Sequence, residues 1–186
     1  MSSNVIVAGN GKMRPEVLAR SAGAFYLLAV VAAVAKEFLA PVRLGFVDFA
    51  IPVACYATVM CLLYSLLRPL SRKLTVAALA FGLAGLVIEP LRWHPGGMNV
   101  AMVLHGLYSL QMGFLLARTR TVPLFAGAAM MTAGLVWLGY LSIPLARAVF
   151  PWNTAVGLVG ESIPMVWLLV MGVKETQVNE QMGVMQ

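Results

Sequence analysis

Residues 124–143 read LFAGAAMMTAGLVWLGYLSI, twenty consecutive positions without Asp, Glu, Lys, Arg or His. A helix of that length rises ~30 Å, which matches the hydrocarbon thickness of a bilayer. Its apolar residues are continuous rather than alternating, so neither a half-buried strand nor a barrel strand describes the run. Segments of the same kind occupy 21–40, 44–67, 74–91, 98–117 and 155–173. The expected object is an all-α integral membrane protein with six transmembrane helices.

Composition points the same way. Of 186 residues, 61% are hydrophobic and 11% charged, and the mean hydropathy is +0.87. Soluble domains carry about 25% charged residues, so most soluble enzymes and disordered chains are excluded. The connections Arg68-Pro69-Leu70-Ser71-Arg72-Lys73 and Arg118-Thr119-Arg120-Thr121-Val122-Pro123 are short. Short loops force sequential helices antiparallel, which predicts a compact up-down bundle. The expected plan is a tail over 1–20, a transmembrane domain over 21–173 and a tail over 174–186. The first tail holds Lys12, Arg14 and Arg20 and no unbroken apolar stretch, so no cleaved signal peptide is expected.

The net charge is +6, and its distribution predicts orientation. Lys12, Arg14, Arg20, Arg68, Arg72, Lys73, Arg118, Arg120 and Lys174 fall on one side of the expected bundle. Lys36, Arg43, Arg92 and Arg147 fall on the other. The positive-inside rule then places both termini in the cytoplasm, with Trp93 and Trp152 in the opposite interfacial belt. These basic loops read as topological signals; without interleaved aromatics, no nucleic-acid partner is expected.

The informative side chains are those that hydrocarbon excludes. Asp48, Glu89, His105 and Glu161 come from four different segments, each roughly 5–10 Å below the outer edge by helical rise. Glu89 shares a helical stripe with Gly85, Gly82 and Ala78, and Glu161 lies one turn from Gly157, ahead of Pro164 and Met165. Asp48 precedes Pro52 and Cys55, while His105 aligns with Tyr108, Ser109 and Met112. A charge facing lipid costs at least ~2.5–3.5 kcal/mol, so all four groups are expected to face the bundle interior. Lys36, Arg43, Arg92, His94 and Arg147 lie just above as cationic partners. The candidate ligand- or proton-binding residues are thus Asp48, Glu89, His105 and Glu161, supported by Arg92, Tyr108, Ser109 and Arg147.

Other chemistry is thin. There is no G-x-S-x-G, P-loop or G-x-G-x-x-G motif. Gly82-Leu83-Ala84-Gly85 reads as a packing face, Gly96-Gly97 as a turn, and the methionines as gap fillers. Cys55 and Cys61 stand six positions apart on one helix, point to different sides and read as buried fillers. No H-x-x-x-H, E-x-x-H or Cys-pair spacing marks a metal site. No cofactor, metal or catalytic residue is assigned.

Several motifs occur in an order that resembles a known family. They are Arg20-Ser21-Ala22-Gly23 with Tyr26-Leu27-Leu28, then Leu62-Leu63-Tyr64-Ser65-Leu66-Leu67-Arg68-Pro69 with Arg72. His105 with Gly113-Phe114-Leu115-Leu116 follows, then Pro123, the stretch from Ala133-Gly134 to Gly139-Tyr140-Leu141, and Gly160-Glu161 ahead of Trp167-Leu168-Leu169-Val170. Together they cover most of residues 20–172 and resemble the bacterial multi-pass membrane family catalogued as domain of unknown function 4386. The chain departs from that family's pattern at Gly82 after Phe81, where an arginine is usual, and at Leu124 after the loop proline. The resemblance implies a six-helix fold in the bacterial cytoplasmic (inner) membrane and supplies no reaction.

The function expected first is a binding or accessory membrane module with an ionisable cluster in its outer half. Its expected partners are the lipid bilayer, a second copy or a partner subunit, and a small-molecule ligand. The alternatives are a small proton-coupled transporter or permease, and an intramembrane enzyme with or without a metal.

Overall fold

The computed structural model describes residues 14–38, 46–119 and 122–173; the side chains at 34, 36–38 and 46–49 lie outside that description. The described residues are helical and contain no strand. Pro15 opens α1 (Pro15–Phe38), at a position where its missing N–H costs nothing. Helix α2 (Phe46–Leu67) carries Pro52 internally. A tight turn leads into α3 (Arg72–Ile88), and the buried Thr75 hydroxyl ties it by donating to the carbonyls of Ser71 at 2.5 Å and Leu67 at 3.4 Å.

Helix α3 stops at Ile88 because Pro90 has no N–H to continue the ladder. A 3-10 turn follows over Glu89–Leu91, after which Arg92 takes a left-handed conformation. Asn99 caps α4 (Val100–Arg118) by accepting from the Met102 amide at 3.2 Å. Helix α5 (Leu124–Leu138) ends in a 3-10 turn over Gly139–Leu141, and Ser142 caps the short α6 (Ile143–Ala148). Helix α7 (Trp152–Met171) closes at Gly172, whose φ of 64° suits a residue without Cβ.

Helices α1, α2, α3, α4, α5 and α7 include segments long and apolar enough to cross a membrane. Each packs on its neighbour in chain order, and α7 also packs on α1, which closes a ring. Small residues make that closure tight, as expected where packing rather than water exclusion must hold helices together. A Cβ built at Gly134 of α5 would lie 2.6 Å from the Leu110 amide and 2.8 Å from the Gly106 carbonyl of α4. One at Gly113 would lie 2.7 Å from the Met131 amide. Gly160 of α7 meets the Ala129 carbonyl of α5 in the same way at 2.6 Å, and Gly23 of α1 meets the Met165 carbonyl of α7 at 2.5 Å.

The continuous apolar core fills the half of the bundle next to the 68–71 and 119–123 connections. Val59, Met60, Leu63, Leu67, Met112, Leu115, Leu116, Met130 and Leu168 are all almost inaccessible there. The other half is not packed solid. Cys55 is buried, Cys61 is exposed and both are free thiols, so only Cys55 is the buried filler that the sequence suggested for both.

Candidate functional site

Where the solid core ends, one carboxylate gathers the bundle. On α7 the positions Gly157, Glu161, Met165 and Leu168 recur at helical spacing and are buried. This places Glu161 inside the ring, at 2% exposure. Its Oε1 accepts from Ser109 Oγ at 2.7 Å, His105 Nε2 at 2.8 Å and Trp137 Nε1 at 2.9 Å. Its Oε2 accepts from the Tyr56 hydroxyl at 2.8 Å. The donors come from α2, α4 and α5, so the cluster joins four helices.

Local sequence explains each arm. His105 and Ser109 are four residues apart on α4 and therefore share a face. Trp137 reaches the carboxylate because Gly157, one turn before Glu161, leaves a flat seat for its indole; a Cβ there would overlap the ring. His105 Nε2 is also 3.3 Å from the Tyr56 oxygen. A single Nε2–H serves one acceptor, and the shorter contact is the one to Glu161. Tyr26 of α1 completes the layer: its hydroxyl lies 3.3 Å from Ser162 Oγ, and its ring centroid is 6.0 Å from that of Tyr56.

Next to this cluster the helices leave an open cavity of about 390 Å³. Tyr26, Tyr56, His105, Trp137 and Glu161 form its polar and aromatic end. Ala29, Val30, Ala33, Pro52, Val53, Leu86, Met102 and Leu158 form its apolar walls, and Glu89 borders it as well. A cavity with apolar walls and a few convergent polar groups is the usual form of a small-molecule site. A second cavity of about 410 Å³ is lined by His94, Asn99, Tyr140, Ile143, Ala146, Arg147 and Phe150.

The residues singled out from the sequence separate here. His105, Ser109 and Glu161 meet directly, and Tyr108 is buried with its ring centroid 5.8 Å from that of His105. Glu89 was expected in the interior; it borders the cavity, still on helical backbone at the end of α3, but its residue is exposed. Arg92 and Arg147 were expected to partner the acids. Among the described residues neither forms an ion pair: Arg92 sits on an exposed turn, and Arg147 lines the second cavity on α6. Asp48, Lys36 and Arg43 lie outside the described residues or side chains.

Tyr56, Trp137 and Tyr26 were not singled out from the sequence. Their signal was present, since a Tyr or Trp buried in hydrocarbon needs an acceptor, and Glu161 is one of the few a span offers. Among the described residues no group of three or more His, Cys, Asp or Glu side chains gathers as a metal site. The chain matches no protein-family model, no curated protein and no solved structure.

Proposed function

We propose that this chain is a small-molecule binding module of the bacterial cytoplasmic membrane. In this reading it is an antiparallel up-down bundle with both termini in the cytoplasm and the cavity in the outer half. The orientation is supported by the nine Lys and Arg residues in the two tails and the 68–73 and 118–120 connections, against four on the other side. The bacterial setting rests on the ordered motifs that resemble the domain of unknown function 4386 family. Service within a larger assembly, as a second copy or beside a partner subunit, belongs to the same proposal.

The observation that carries the binding reading is the 390 Å³ cavity ending on the Glu161 cluster. Helices that needed only to fix their register would close on such a cluster, as they do in the core below it. The test is accessibility. In a Cys55→Ser, Cys61→Ser background, Val53→Cys is expected to react with a membrane-impermeant methanethiosulfonate added outside intact cells. Ala29→Phe, which fills the cavity, is expected to block that reaction. No modification from either side would overturn the open cavity, and modification from the cytoplasmic side alone would overturn the orientation.

One observation favours a second reading, proton-coupled transport: His105 and Glu161 share a 2.8 Å contact within a span, and paired ionisable groups there mark proton paths. Proton-driven uptake by proteoliposomes that His105→Gln abolishes would support it, and uptake unchanged by that substitution would reject it. The intramembrane-enzyme reading draws no support from the geometry, since both Glu161 oxygens are already engaged by donors.

A further inference from the structure

We infer that the occupant of the deep cavity is a small organic cation, an ammonium head on an apolar body. This inference rests on the binding reading above and names its ligand class. Three features of the wall converge on it. First, the charges: Glu161 stands at one end and Glu89 at the edge, while no Lys or Arg lines the cavity among the described residues. An anion in a low-dielectric interior is costly without a compensating cation; the Tyr, Ser and Trp donors bring no positive charge, and His105, 2.8 Å from Glu161, can supply one at most against the two carboxylates.

Second, the rings. Tyr56 and His105 centroids are 5.3 Å apart, His105 and Trp137 centroids 5.9 Å, and Tyr26 and Tyr56 centroids 6.0 Å. They form one continuous aromatic band at the polar end. Tyr and Trp faces attract a cation within about 6 Å, and most strongly when it has lost its water. Third, the volume and the walls. A space of 390 Å³ walled by Ala, Val, Leu, Pro and Met far exceeds what a proton or a lone hydrated ion needs. Hard metal cations require six or more oxygen ligands, which these walls do not offer. An alkyl or aryl body fits them.

The test uses three probes of one shape: benzyltrimethylammonium, its neutral carbon isostere neopentylbenzene, and benzylsulfonate. Binding of each labelled probe is measured on the full chain in nanodiscs of uncharged lipid. The expected result is saturable binding of the cation at least about tenfold tighter than the neutral isostere, with no saturable binding of the anion. Glu161→Gln should weaken the cation at least tenfold and leave the neutral probe within twofold. Glu89→Gln should weaken the cation severalfold; this exposed position keeps the test decisive if Glu161→Gln does not fold. Equal affinity for cation and neutral probe would overturn the cation assignment while leaving the cavity as a binding site. Tighter binding of the anion would overturn it too. Saturable binding of none of the three would overturn both readings.

Discussion

Two cavities of nearly equal size, about 390 and 410 Å³, separate the carboxylates of this bundle from its Arg147. The deep one holds Glu161 and Glu89 with His105 beside them, and the other holds His94 and Arg147. In sequence these residues form one layer of acids with cations just above. Depth along a helix is readable from numbering, but direction depends on where helices stop. Pro90 ends α3, so Arg92 swings out on a left-handed turn. The turn over Gly139–Leu141 ends α5, so Arg147 rides on the short α6 rather than on a span. The cations are therefore carried by the connections, while the buried acid is carried by a span and satisfied by neutral donors and a histidine.

This contrast makes graded predictions. The largest effect is expected for Glu161→Leu, which orphans four donors in the bundle interior. At ~1–3 kcal/mol per unsatisfied buried group, partly relieved by re-pairing, the loss is ~3 kcal/mol or more. It would be read from unfolding in mixed micelles. If Glu161→Leu proves as stable as the wild type, the deep cluster is not a structural joint, and the two cavities are alike.

Next comes the seam that delivers His105 and Trp137 to the site. Gly134→Val drives a side chain into the Leu110 amide and the Gly106 carbonyl. Overpacking costs ~1–3 kcal/mol, and backbone neighbours put this case at the upper end. A melting temperature unchanged by the substitution would show that α4 and α5 do not touch there. Tyr56→Phe removes the donor that Oε2 has among the described residues, and a loss of ~1.5 kcal/mol is expected for a hydrogen bond to a carboxylate. Double substitution with Ser109→Ala should deviate from additivity, because both donors serve one carboxylate. Smallest of all, Arg147→Ala, an exposed residue at the second cavity, should stay within ~0.5 kcal/mol of the wild type. A larger loss would mean that the basic cavity is also a joint.

Much of this was legible in the sequence. Six uncharged or nearly uncharged segments announce the six helices, and His105, Ser109 and Glu161 stand out because hydrocarbon excludes them. Gly106 with Gly113 and Gly127 with Gly134, both seven apart, carry the α4–α5 seam in plain spacing. Trp137 and Tyr56 were hidden for a physical reason. An aromatic ring in an apolar run has the pattern of core packing, and its polar atom is identified as a donor only when a partner from another helix comes into view. The partition of acids from cations was hidden as well, because it depends on the turns after Ile88 and Leu138 rather than on any span.

The convergence of donors on one carboxylate can be observed directly through the Trp137 indole N–H. In protein labelled with 15N-tryptophan, the Trp137 resonance is assigned by its loss in Trp137→Phe. A hydrogen bond of 2.9 Å to Glu161 should place its proton downfield of the other indoles, and Glu161→Gln should shift it upfield while moving the Trp93 and Trp152 signals little. An indole proton that resonates with the others and ignores Glu161→Gln would contradict the cluster at the centre of this account.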